Sequence, residues 1–333
     1  MRKVLWLFVF LALLYCGWWG LASVSVTSGL QNWLDTRRSD GWQADVSAIR
    51  SEGFPNEIRT VLEAPAFADP NTGLAVKLDQ LTLALRTIWP GDVRLLFPDG
   101  PINFATPEQT VALHLDTSQA DLNLTPGPQL ELENLSFTSG PFRIDGPDGG
   151  LIAGDASELR MQQTEIRETY YIALNIGQFT PGAVPRGALA IPDDWPLVFT
   201  AFQVKSEIRF DRPWDRQALE ERRPQPRHIQ LQNMEAHWGD VRLRIKGIMD
   251  VDPLGIVSGN ITIRAENWEA MLDIAETSGV LPTDLRQTAQ GVLSSLAAGS
   301  GKTNDLDVTL TLDSGLIRLG FIPLGSAPRV QIR

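Results

Sequence analysis

One cysteine, three histidines and three tyrosines occur among 333 residues, and each scarcity removes a class of function. With Cys16 alone, neither a disulfide framework nor a thiolate zinc site can be built within one chain. His114, His228 and His237 leave little for metal or acid–base chemistry. Positive charge is also short: 29 Lys and Arg face 40 Asp and Glu, a formal net charge of −11. A nucleic-acid binder needs a basic surface to meet phosphates, so that class is set aside. No Gly-x-Ser-x-Gly turn, His-Glu-x-x-His pair or Cys–His pairing outside the apolar N-terminus occurs. The expectation is a non-enzymatic protein without cofactor, metal site or catalytic residue.

What is present begins with an anchor. After Met1, Arg2 and Lys3, residues 4–22 carry no charge. Nineteen residues at helical rise span roughly 28 Å, close to the ~30 Å of a bilayer's hydrocarbon core. Val4, Leu5, Trp6, Leu7 and Phe8 enter the apolar phase, and Trp18 and Trp19 fall where an interfacial aromatic belt belongs. The leading basic pair favours a cytoplasmic N-terminus, with the body outside the cytoplasm after a single pass. The alternative is a cleaved signal peptide, with Gly20 and Ala22 as small residues near a processing site. In either case the rest is exported.

Behind the anchor (1–26), Leu30, Trp33 and Leu34 keep helical spacing to a stop at Gly41, giving a juxtamembrane helix over 27–41. The period then changes to two. Val111, Leu113 and Leu115 alternate with polar neighbours, as do Ile172, Leu174 and Ile176, and Leu306, Val308, Leu310 and Leu312. In 241–246 the alternation is complete: Val241, Leu243 and Ile245 form a candidate apolar face, and Arg242, Arg244 and Lys246 a candidate basic face. Such strands bury one side and wet the other, which favours an antiparallel sheet. Two strands change phase midway, at Val76-Leu78 to Leu81-Leu83-Leu85 and at Leu130-Leu132 to Leu135-Phe137, and a bulge is the expected cause.

The expected fold is therefore mainly β: an elongated, curved antiparallel sheet, open trough or flattened barrel, with an N-terminal transmembrane helix and a short helical pair. A β region over 42–210 and another over 228–333 flank a charged crossover loop at 211–227. Asn267 is expected to cap a helix over 267–279, and Thr283 one over 283–298 carrying Leu285, Ala289, Val292, Leu293 and Leu296.

Three tracts imitate binding motifs and break their rules. Gly299-Ser300-Gly301-Lys302-Thr303 has Leu296 where a phosphate loop needs glycine. Asp250-Val251-Asp252-Pro253-Leu254-Gly255 puts Leu254 at a calcium-ligand position and Ile261 where the bidentate glutamate belongs. Glu235 and His237 lie on the opposite parity from Asp240.

The chain resembles a family of Gram-negative, chiefly alphaproteobacterial, envelope proteins known as domain of unknown function 2125. The resemblance rests on the apolar N-terminus, Ser51-Glu52-Gly53-Phe54-Pro55, Trp238-Gly239 before the strand at 241–245, Leu254-Gly255 with Gly259, Asn267-Trp268, and the closing run from Gly315 through Gly320 to Pro323. These are structural turns and aromatic anchors, so no active site is carried over. That family looks related to the AsmA-like group, which implies an inner-membrane anchor and a curved periplasmic sheet with an apolar interior. The function implied is lipid handling or support of envelope assembly, with the membrane, lipid and envelope proteins as partners. The alternatives are a structural or partner-binding protein with a filled β core, and an exported hydrolase.

Overall fold

The computed structural model describes residues 2–332 apart from 71, 88–90, 189, 193–194, 280, 282 and 300–303. It opens with one uninterrupted helix, α1 (Arg2–Ser39), so the anchor and the juxtamembrane helix are a single element. Gly41 at φ 87° ends it.

Eight long strands follow, each broken once at a corner. Their two arms are β1 (Gln43–Asp45) and β2 (Ala48–Glu52), then β3 (Glu57–Glu63) and β4 (Ala66–Ala68). Next come β5 (Ala75–Lys77) and β6 (Gln80–Arg86), and β7 (Asp92–Leu96) and β8 (Ile102–Ala105). The series continues with β9 (Thr110–Leu115) and β10 (Gln119–Leu124), and β11 (Leu132–Ser139) and β12 (Phe142–Gly146). It closes with β13 (Gly149–Gly154) and β14 (Ser157–Gln163), and β15 (Thr169–Ile176) and β16 (Phe179–Pro181).

The arms form two antiparallel ladders. One runs β1-β4-β5-β8-β9-β12-β13-β16, the other β2-β3-β6-β7-β10-β11-β14-β15. Pro65, Pro98, Pro101 and Pro141 stand in the corners, where a missing N–H breaks a ladder without loss. Gly140 turns another tight point: a Cβ there would lie 2.9 Å from Thr117 Oγ1 and 3.1 Å from the Asp116 carbonyl oxygen. The arms face each other across the crease. Leu78, Ile102 and Leu115 are buried there against Val76, Phe104, Leu113 and Phe142 of one arm and Phe97 and Phe137 of the other side.

A short helix, α2 (Ala183–Ala188), precedes β17 (Phe199–Phe210), where the ladders rejoin: Phe199 pairs with Phe179 and Phe202 to Arg209 with Ile176 to Thr169. A loop bearing α3 (Arg216–Glu220) then leads into strands without corners: β18 (Pro226–Trp238), β19 (Val241–Val251) and β20 (Val257–Glu266). After α4 (Trp268–Thr277) and α5 (Thr283–Gly299), β21 (Asp305–Asp313), β22 (Leu316–Leu319) and β23 (Ile322–Ser326) complete the sheet in sequential order. Among the described residues β23 pairs only with β22, and the sheet does not close.

Both expected helices form, with one difference. Asn267 adopts φ 59° and its side chain makes no capping bond; its backbone N–H donates to Asn304 O instead. A left-handed residue turns its side chain away from the first helical N–H groups, so it redirects the chain rather than capping it. The phase change at Val76 to Leu81 is a corner between β5 and β6, whereas that near Leu132 is a bulge, with Glu133 the extra residue between pairs Asn123–Asn134 and Leu124–Leu132. The side chains of Leu285 and Leu296, and residues 300–303 of the phosphate-loop imitation, lie outside the described residues.

Candidate functional site

The sheet's inner face is legible from cross-strand register, because directly paired residues point to the same side. One such row runs Thr60-Leu83-Leu95-Ala120-Phe137-Leu159-Leu174-Val204-Met234-Ile245-Ile263-Val308 without a break. Every member after Thr60 is apolar. Eleven strand-to-strand steps of ~4.8 Å make about 53 Å along the sheet. The ends are sealed: Thr60 is 0% and Val308 8% exposed. Between them only Ala120 is buried, and the nine others remain half-buried.

Different parts of the chain cover the ends. At the start, the last turns of α1 lie on the inner face. Thr27 Oγ1 is 2.9 Å from Ser51 Oγ, which pairs with Thr60, and Trp33 meets Phe67 edge-on with ring centroids 6.1 Å apart. At the far end α4 and α5 bury Trp268, Leu272 and Ala297 with Ala265, Leu306 and Val308, with Leu243 and Ile263 packed alongside. A C-terminal tail places Ala327 and Val330 against Val251, Val257 and Leu312.

The loop at 211–225 is tied across strand ends. Trp214 O accepts from Leu132 N, Arg216 N donates to Gln129 O, and Arg37 of α1 donates to Glu220 O at 3.0 Å. Beneath it Tyr170 is fully buried; its hydroxyl accepts from Trp214 N at 3.0 Å, and burial pushes its pKa up to about 12. Glu131 accepts from Arg167 and Gln163, and the Arg167 bonds hold its carboxyl below the usual range despite burial. For Asp211, burial works upward but is outweighed by Gln225 N–H and Arg222, leaving its pKa lowered. The sequence marks only the loop itself, as the charged stretch 211–227; Tyr170, Glu131 and Arg167 carry no such signal, because the latch gathers separated segments with no shared period.

Val241, Leu243 and Ile245 point inward, and Arg242, Arg244 and Lys246 outward. The outer arginines sit in an ion-pair ladder: Arg242 with Glu266 at 3.6 Å, Arg244 with Glu235 at 3.3 Å, and Arg264 with Asp307 at 2.7 Å. His237 Nε2 lies 2.6 Å from Glu235, whose pKa is lowered by that hydrogen bond first and by Arg244. Asp252 closes the β19–β20 turn by accepting from Leu254 N and Ile256 N, both at 2.8 Å. Among the described residues no three His, Cys, Asp or Glu side chains are placed to hold a metal ion.

Val4, Leu5, Trp6, Leu7 and Phe8 are 55–70% exposed along α1, and Trp18 is 55% exposed. The helix is long and apolar enough to cross a membrane. A family model described as an uncharacterized protein conserved in bacteria, DUF2125, matches residues 19–328. The chain belongs to this family. Within the DUF2125 chain the matched span takes in the rim of α1, every corner of the folded strands and both covering helices. No curated protein and no solved structure matches it.

Proposed function

We propose that this protein is a non-enzymatic, single-pass inner-membrane protein whose periplasmic β body holds lipid acyl chains along its inner row. The observation that carries this reading is the half-buried state of an unbroken apolar path between two sealed ends. A core filled by its own side chains would bury Leu159, Leu174, Val204, Met234 and Ile245 as deeply as it buries Leu62 or Leu306. Instead these residues keep apolar surface in contact with solvent, which is unfavourable by about 25 cal/mol per Å² and is relieved when an acyl chain covers it. The path is about 53 Å long, more than three times the ~15 Å depth of one leaflet. Anchoring by α1 keeps the row beside a source of lipid, and orientation follows from Arg2 and Lys3. The resemblance of the family to AsmA-like envelope proteins, an analogy of fold, supports the same reading.

Photoreactive acyl chains test this with the full protein in phospholipid nanodiscs. Crosslinks on peptides containing Leu174, Val204 and Met234 are expected in addition to those on α1. Crosslinks confined to α1 refute the acyl path. The extensive cover at both ends favours a second reading, a partner-binding envelope protein with a filled core, and that reading predicts the α1-only result.

A further inference from the structure

The turn at 53–56 joins β2 to β3 and packs on the apolar part of α1. Tyr15 O–H donates to Pro55 O, Trp18 Nε1 to Thr87 O at 3.2 Å, and Trp19 Nε1 to Glu57 O at 3.0 Å. Trp19 and Phe54 meet edge-on, with centroids 5.4 Å apart. Phe54 is nevertheless 51% exposed. Gly53 makes the close approach possible: it holds φ 97°, and a Cβ there would come within 2.9 Å of Glu57 O.

Depth follows from helical rise. Trp19 lies sixteen residues beyond Lys3, about 24 Å along the axis, less than the ~30 Å of hydrocarbon. With Lys3 at the cytoplasmic boundary, Trp19 and everything bonded to it therefore sit at or below the opposite headgroup level. The indole and phenol donors that commonly reach for interfacial water and headgroups are bound to backbone carbonyls of the β body. The nearest charges of the turn are joined to one another, Arg59 with Glu57 and, at 3.8 Å, with Glu52.

We propose that the Gly53-Phe54-Pro55 turn is a second membrane contact, inserted into the periplasmic leaflet beside α1, with Phe54 as its lipid-facing residue. Together the turn and the three aromatic hydrogen bonds fix the height and rotation of the sheet on the bilayer. The inference rests on α1 spanning the membrane and not on lipid occupying the inner row.

The test uses the full chain in phospholipid nanodiscs, with Cys16→Ser and one spin label at a time at Phe8, Asn56 or Glu108, read by accessibility to oxygen and to a water-soluble nickel chelate. The expected result is an oxygen-to-nickel ratio at Asn56 several-fold above that at Glu108, approaching Phe8, and a return toward the Glu108 value in Phe54→Asp. A ratio at Asn56 equal to that at Glu108 while Phe8 stays high overturns the inserted turn and leaves the anchor standing. A low ratio at Phe8 as well overturns both. A high ratio at Asn56 unaltered by Phe54→Asp overturns the role given to Phe54.

Discussion

Before residue 182 each strand covers its own inner side chains by turning a corner and facing its other arm; after residue 198 the strands run without corners and need foreign cover. In the first region Leu78, Ile102 and Leu115 lie in the crease between ladders of the same eight strands. In the second, α4, α5 and the tail at 327–332 close over one end of β19–β21. Cover made from within the strand is renewed with each hairpin, whereas cover made by an inserted segment extends only as far as that segment reaches. The stretch Leu174-Val204-Met234-Ile245 of the inner row, half-buried throughout, lies where one arrangement gives way to the other.

The largest contrast is expected from buried charge. Leu306→Asp, at a residue 8% exposed, places a carboxylate beneath the helical pair and should unfold at least the C-terminal region, because an unpaired buried charge is strongly disfavoured. Val204→Asp, on the same face in the half-open stretch, should remain folded with a small change in Tm and lose acyl crosslinking at its strand. Equal unfolding by both variants, followed by circular dichroism, would erase the distinction between filled and open stretches.

Cavity formation gives a smaller, graded version. Leu62→Ala, at a residue 2% exposed, should cost about 2–5 kcal/mol in denaturant unfolding. Leu174→Ala should cost about 1 kcal/mol, since solvent already reaches its site and less contact is lost.

Acid should loosen the loop latch before the helical cover. Glu131 and Asp211 both have lowered folded-state pKa values, so their contribution is fully present above the unfolded values of roughly 4.3 and 3.9. It is lost as pH falls further, through the folded values. Hydrogen exchange corrected for intrinsic rate should therefore be flat in residues 211–225 from pH 7 to 5 and rise below about pH 4. In Glu131→Gln the rise should shrink. The smallest effect is expected on the outer face: Arg264→Ala breaks an exposed pair with Asp307 and should change stability by under about 1 kcal/mol, less at high salt.

Much of the fold was legible in the sequence because its signals are periodic. Alternation at 111–115, 172–176, 241–245 and 306–312 falls within β9, β15, β19 and β21, and the two late helices form at Trp268–Thr277 and Thr283–Gly299. The corners were harder to see. A strand that turns at Leu78 and one that bulges at Glu133 both shift the parity of their apolar residues, and parity alone does not distinguish them. At other corners a proline inside an otherwise alternating tract, such as Pro65 or Pro141, marks the break, but the corner at Leu78-Asp79 has none. The inner row itself depends on which strand neighbours which, and the latch of Tyr170, Glu131 and Arg167 on contacts between distant segments. Phe54 was visible as part of a turn, but its place beside Trp19 follows from the course of α1.

The repeated crease also separates two dimensions of the body that are usually tied together. The position of the corner within each strand sets the cross-section, and the number of strands sets the length, much as a folded gutter keeps its profile wherever it is cut. Adding one more hairpin of bent strands would extend the sheet by about 10 Å and leave every existing neighbour pair intact except at the insertion point. A body built this way can be lengthened or shortened in steps without redesigning its interior, so its reach is an adjustable property and its cross-section a fixed one.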